Sequence, residues 1–265
     1  MRKQFVKTIE SILKQDEKAI LLLGDIGVFG FREAFELYPE RVLNIGILEQ
    51  STIGLAAGLS MNGLIPIIHT IAPFLVERGI EQLKDDFGYQ KLGGNFVSVG
   101  ASYDYAALGC THHCPGDVGM LRNIPGMEII LPGTAKEFDV LFKESYANGN
   151  PTYYRLSEKA NASDYPVKFG KAEIVKKGKL ATIIAVGPML ELAMMAADGL
   201  DVTILYYTAI IPFDKKTLKE NSESGKILLC EPYYAGALLP EILETLSPKP
   251  VSIETIGVPL QMMTS

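Results

Sequence analysis

Basic residues are in deficit here. Lysine and arginine number 25 against 31 aspartate and glutamate, a net charge of −6, and no lysine- or arginine-rich stripe appears, which argues against a nucleic-acid surface. Long hydrophobic runs are also missing. The longest, such as ATIIAVG, fall far short of the roughly 20 residues a membrane helix needs. Residues 1–24, MRKQFVKTIESILKQDEKAILLLG, interleave charges with single apolar residues and hold no continuous signal-peptide core, so the protein is expected to be cytoplasmic. Cysteine and histidine are scarce, three of each. What is plentiful is apolar: 48% of the 265 residues are hydrophobic and 21% charged, the composition of a well-packed globular protein. A chain of this length makes one large or two modest domains, since single cores stop growing near roughly 250–300 residues.

Phe5, Ile9, Ile12 and Leu13 recur at helical spacing, and AILLLGD follows as a short apolar run ending in glycine and a carboxylate, which predicts a helix and then a buried strand. The pattern repeats with VLNIG before EQSTIGLAAGLSMNG, LIPIIHT before VERGIEQLKDDFGYQ, NFVSVG, and MEIILPG before TAKEFDVLFKESYANG. Strands alternating with helices predict an α/β fold with a largely parallel sheet covered on both faces. A polar, lysine-rich stretch then follows PTYYRL. It divides the chain into a first domain at residues 1–157, a linker at 158–179 and a second, smaller α/β domain at 180–265. In the latter, ATIIAVG, DVTILYY, KILLCE and PVSIET alternate with the helical segments PMLELAMMAADG and AGALLPEILETL.

Two cysteines and two histidines crowd into LGCTHHCPGD, residues 108–117. A zinc site is one reading, but structural zinc draws ligand pairs from separate segments, and only His69 and Cys230 remain as complements. Cys230 sits in the apolar run KILLCE, where a buried inert thiol is expected. A thiol nucleophile beside its base is a second reading, a histidine held against substrate a third, and a loop packed for structural reasons a fourth. Glu49 stands where a strand gives way to a helix, beside Gly54, Ala56, Ala57 and Gly58; it is either a catalytic carboxylate or a partner of the helix dipole. Phe74, in HTIAPFLVERGIEQ, reads as core or as an aromatic binding face. These residues, taken singly, leave the alternatives open.

Their order says more. NIG-x-x-EQ, then APF, then THH, each separated by sheet-and-helix units and followed by GDVGMLRNIPGMEIILPGTAKEF, resembles the pyrimidine-binding domain of transketolases and the related 1-deoxyxylulose-5-phosphate synthases. The likeness runs from about residue 21 to residue 156. The second domain, with CEPYYAGAL and IGVP, is similar to the family's small C-terminal domain. The resemblance implies thiamine diphosphate, whose thiazolium ylid attacks a ketose carbonyl. It implies that Glu49 hydrogen-bonds the cofactor's aminopyrimidine ring, a role open to a carboxyl among apolar neighbours that can share a proton with a ring nitrogen. By the same likeness Phe74 stacks on that ring, His112 faces substrate oxygens, and Asp25 and Ile47 lie near the cofactor. Cys110 and Cys114 become incidental. Arg78 matches a substrate-binding arginine if one residue is inserted before it, with Arg155 and Lys159 as nearby alternatives.

The resemblance is incomplete in an informative way. The family's magnesium and diphosphate motif, glycine-aspartate-glycine with a later asparagine, has only a partial echo in GDIG at residues 24–27. No other set of oxygen ligands for Mg2+ is evident. The chain is therefore expected to be the small subunit of a split enzyme, paired with a subunit that holds Mg2+ and the diphosphate, two copies of each. Gly100 or Ala101, Leu108 and Glu158 stand where relatives acting on sugar phosphates carry polar or cationic groups, which predicts slow turnover of an ordinary pentose phosphate. Two other enzymatic readings share the glutamate: a 2-oxo acid dehydrogenase beta subunit and a decarboxylating enzyme like 1-deoxyxylulose-phosphate synthase. The CTHH loop favours the transketolase side. A catalytically silent assembly subunit is the reading from another class.

Overall fold

A computed structural model describes residues 1–263. Twelve strands run in chain order: β1 (Ala19–Leu23), β2 (Val42–Asn44), β3 (Ile65–Ile71), β4 (Gly94–Val99), β5 (Glu128–Ile130), β6 (Pro151–Arg155), β7 (Ala172–Lys176), β8 (Thr182–Val186), β9 (Thr203–Tyr207), β10 (Ala209–Ile211), β11 (Lys226–Tyr234) and β12 (Ser252–Val258). They form a seven-stranded sheet in the order β10-β5-β6-β4-β3-β1-β2 and a five-stranded sheet in the order β12-β11-β8-β9-β7. β1 to β6 are mutually parallel. Only the edge strands β10 and β7 run antiparallel to their neighbours.

The apolar patterning explains the layers. All five residues of β1 are buried, as a parallel strand covered on both faces requires. On one face the helix Arg2–Gln15 sets Phe5, Ile9, Ile12 and Leu13 against Leu21, Leu23 and the helix Ala135–Ser145. On the other face Ile53, Ala56 and Ala57 of the helix Glu49–Met61 pack with Leu22, Ile68 and Phe96. That second cluster continues without a break into Ile184, Leu205, Tyr207 and Leu229 of the other sheet, so the two sheets share a core.

Two short strands blur the division read from the sequence. The segment 158–179 is not all connection, because β7 lies within it and forms an edge of the second sheet. Its lysines hid it: Lys176 reaches the carbonyls of Ala197 and Leu200, and lysine is a usual guard of an exposed edge. β10, from the second region, completes the first sheet beside β5. Glu137 ties the regions again; it closes a capping box with Thr134 and accepts the Tyr206 hydroxyl at 2.6 Å. The further strand or turn that the resemblance places beyond Ser265 lies outside the described residues.

Because β1 to β6 are parallel, their carboxyl ends share one edge, where α/β folds collect ligands. The turns after β1, β2, β3 and β4 carry Asp25, Glu49, Phe74 and the loop 100–116 to that edge.

Candidate active site

Glu49 is the first residue of its helix and is 3% exposed. The helix dipole favours a carboxylate there, and the surroundings are not purely apolar. Arg78 brings Nη1 to 2.6 Å from Glu49 Oε2, and the Thr70 hydroxyl lies 3.5 Å from Oε1. The Arg78 guanidinium carbon stands 4.4 Å above the Phe74 ring centroid. Phe74 in turn meets the His112 ring edge-on, with centroids 5.2 Å apart. Glu49, Arg78, Phe74 and His112 therefore form one unbroken chain of contacts, drawn from three separate turns.

The cysteine and histidine cluster does not converge. Cys110 is exposed, whereas Cys114 is buried with its thiol 3.7 Å from Glu77 Oε1. Burial and the carboxylates of Asp117 and Glu77 push the Cys114 thiol far above the usual cysteine range, which makes it an inert group rather than a nucleophile. His112 faces Phe74 while His113 packs on Tyr103 at 4.8 Å. Among the described residues no group of three or more His, Cys, Asp or Glu could hold a metal ion. Cys230 is buried in β11, its thiol pushed up to about 11 by burial first and by Glu231 second.

The remaining expected residues divide. Asp25 is exposed beside the cluster in left-handed backbone, φ 67°, a strain that costs energy and tends to gather at functional sites. Asn44, which the sequence patterning did not single out, fixes it: the Asn44 side chain accepts from the Asp25 amide at 3.0 Å and donates to the Asp25 carboxylate at 3.1 Å. Ile47 is 63% exposed next to Leu48 at 57%, an apolar rim beside Glu49. Arg155 is not brought to the cluster as a free cation. It is 1% exposed, with Nε 2.6 Å from Asp117 Oδ2 and Nη2 2.6 Å from Ser102 Oγ. Its charge is spent on holding the base of the loop 100–116. Lys159 is exposed and lines the cleft between the two sheets.

Residues 1–162 match the family described as transketolase, pyrimidine binding domain, and residues 170–263 match transketolase, C-terminal domain. The chain belongs to the transketolase family. One of the subunits of an apulose-4-phosphate transketolase from Phocaeicola vulgatus is 31% identical, over 97% of this chain and 87% of that protein. A protein of Rhodococcoides fascians known as an uncharacterized 33.6 kDa protein in the fasciation locus is 36% identical, over 97% of this chain and 84% of its own length. Among solved structures, a split gene transketolase, described as an inactive beta4 tetramer, superimposes with a TM-score of 0.84 at 27% identity, over 97% of this chain and 88% of that one. Transketolase membership implies dependence on thiamine diphosphate, and the chain spans most of the length of these relatives.

Proposed function

We propose that this chain is the small subunit of a split, thiamine diphosphate-dependent transketolase that transfers a two-carbon ketol unit between sugars in the cytoplasm. The observation that carries the reading is the unbroken cluster of Glu49, Arg78, Phe74 and His112 at the carboxyl edge of a parallel sheet. Its chemistry suits one end of the cofactor. An aminopyrimidine is a flat ring with N–H donors that needs an apolar face and a carboxylate at its edge. The Arg78 guanidinium, also flat and rich in N–H donors, meets both, stacking on Phe74 and pairing with Glu49. When bound, the cofactor supplies the carbon nucleophile that protein side chains lack. Glu49 takes the ring nitrogen and its proton, Phe74 holds the ring face, and Asp25 and Ile47 flank it. His112 binds substrate oxygens, with Arg78 beside it.

The same fit test fails at the cofactor's other end. The described residues offer no donor set for Mg2+, which prefers several oxygen ligands in octahedral array. A partner subunit is the source of the metal and diphosphate sites, in an assembly of two chains of each kind. Exposed Ile47, Leu48 and Leu55, around the start of the Glu49 helix, give that partner an apolar surface to cover.

Calorimetry with thiamine diphosphate and Mg2+ tests the division of labour. The chain alone should bind weakly, and the chain with its partner tightly. Tight binding by the isolated chain would overturn the split arrangement.

A further inference from the structure

The helix Arg2–Gln15 runs antiparallel to the strands it covers. Near its start the Phe5 ring lies 4.4 Å from His69, toward the carboxyl end of β3. Near its finish the Leu13 carbonyl accepts from Arg41, just before β2. Arg2 and Lys3, both exposed, therefore stand at the same edge of the sheet as the site cluster. With Gly100, Tyr105, Ser157 and Glu158 they line a cavity of about 340 Å³ beyond β4 and β6.

The cavity's shape and charge narrow what it can hold. Gly100 has φ 75°, and a Cβ there would come within 2.6 Å of the Tyr105 ring, so Tyr105 fills the space where another residue's side chain would stand. Burial pushes the Tyr105 phenol up, and the nearby Arg2 charge opposes the rise, which marks Arg2 as facing that hydroxyl. The lining side chains thus include a guanidinium, an ammonium and two hydroxyls against one carboxylate, Glu158. The backbone below Glu158 is fixed, since Asp104 Oδ2 accepts the amides of Ala101 and Glu158 at 3.1 and 2.9 Å. A fork of N–H donors beside a second cation and hydroxyls is the recognition chemistry of a tetrahedral oxyanion.

We propose that Arg2 and Lys3 seat the anionic terminus of the substrate, a phosphate monoester, in this cavity. The assignment rests on the transketolase reading of the neighbouring site. The N-terminal helix supplies the positive charge that Gly100 and Glu158 do not, so the expectation of slow turnover of phosphorylated ketoses, drawn from those two positions, gives way. Glu158 weakens the seat, opposing part of its charge.

The test compares the two-subunit complex carrying wild-type chain, the double variant Arg2→Ala/Lys3→Ala, and Glu158→Gln, on xylulose 5-phosphate and unphosphorylated xylulose. The preference for the phosphorylated ketose in kcat/KM should fall roughly 10- to 100-fold in the double variant, mainly through KM, as expected for losing one or two charge-assisted hydrogen bonds. It should rise in Glu158→Gln. An unaltered preference in the double variant overturns the seat while leaving the transketolase reading intact. A complex that turns over neither ketose sinks that reading instead. The seat is then decided by inorganic phosphate alone, titrated against the chain and followed through the Tyr105 ring resonances. Shifts in the wild type that vanish in the double variant uphold it, and no shift in the wild type overturns it.

Discussion

Replacing Arg155 by methionine should cost several kcal/mol of stability. The methionine fills the space of the arginine stem but leaves the Asp117 carboxylate, 0% exposed, with only the Tyr153 hydroxyl at 2.8 Å and the Val118 amide at 2.9 Å. Ser102 also loses the Arg155 donor, while keeping its own bond to the Pro232 carbonyl at 2.5 Å, a link from the loop 100–116 to β11. Removing one partner of a buried ion pair costs about 3–5 kcal/mol, because the other charge stays buried and unpaired. Against a total stability of about 5–15 kcal/mol the loss is large, and at about 2–4 °C per kcal/mol it lowers the thermal midpoint by roughly 6–20 °C. The double replacement Asp117→Leu/Arg155→Met removes both charges and should recover much of that loss. Thermal and urea unfolding, followed by circular dichroism for the wild type, both single variants and the double, reads the cycle. An Arg155→Met chain that unfolds like the wild type but binds substrate poorly would refute the structural role and return Arg155 to the substrate site.

Phe74→Ala should weaken thiamine diphosphate binding to the two-subunit complex by about 0.5–1.5 kcal/mol, the worth of an aromatic stacking contact, and calorimetry reporting an unchanged affinity would remove Phe74 from the cofactor site. Glu231, buried in β11, has its carboxyl pushed up to about 7, by burial against the opposing bonds from the Gly236 and Leu238 amides. The folded state thus holds a proton that the unfolded chain releases, so Glu231 makes stability fall as pH rises from about 4.5 to about 7. His69, pushed down to about 4 by burial, acts in the opposite direction, so the quantity to measure is the stability difference between Glu231→Gln and the wild type. That difference should move in favour of the variant between pH 5 and pH 8, and a flat difference would show that Glu231 does not titrate there. Elemental analysis of the purified chain should find no stoichiometric zinc, and one zinc per chain, lost in Cys110→Ser, would overturn the description of the loop 100–116.

Local patterning carried most of the fold and only part of the site. The spacing of Phe5, Ile9, Ile12 and Leu13 and the run AILLL report burial residue by residue, so the covered parallel sheet was legible. β10 was not, because three residues ending at a proline hold too little periodicity, and its pairing with β5 joins segments some 80 positions apart. β7 was masked by lysines that suit an exposed edge. In the site, Glu49, Phe74 and His112 could be picked out because their order along the chain is informative. Their contacts could not, since Arg78 reaches Glu49 across 29 positions. Nor could the fate of Arg155: its partner Asp117 lies 38 positions away, in a stretch that reads as a plain helix start. Side-chain charge is visible in a sequence, whereas the partner that consumes it is a matter of tertiary packing.

The most direct test of the proposed role is deuterium exchange at carbon 2 of the bound thiazolium ring, measured in the two-subunit complex with wild-type chain and with Glu49→Gln. An amide cannot pass on the proton that the carboxyl shares with the pyrimidine ring, so exchange should slow by roughly 10²- to 10⁴-fold, while assembly, read by sedimentation, is preserved. Exchange at the wild-type rate in an intact Glu49→Gln complex would contradict the placement of Glu49 in the reaction and, with it, the catalytic role proposed for this chain.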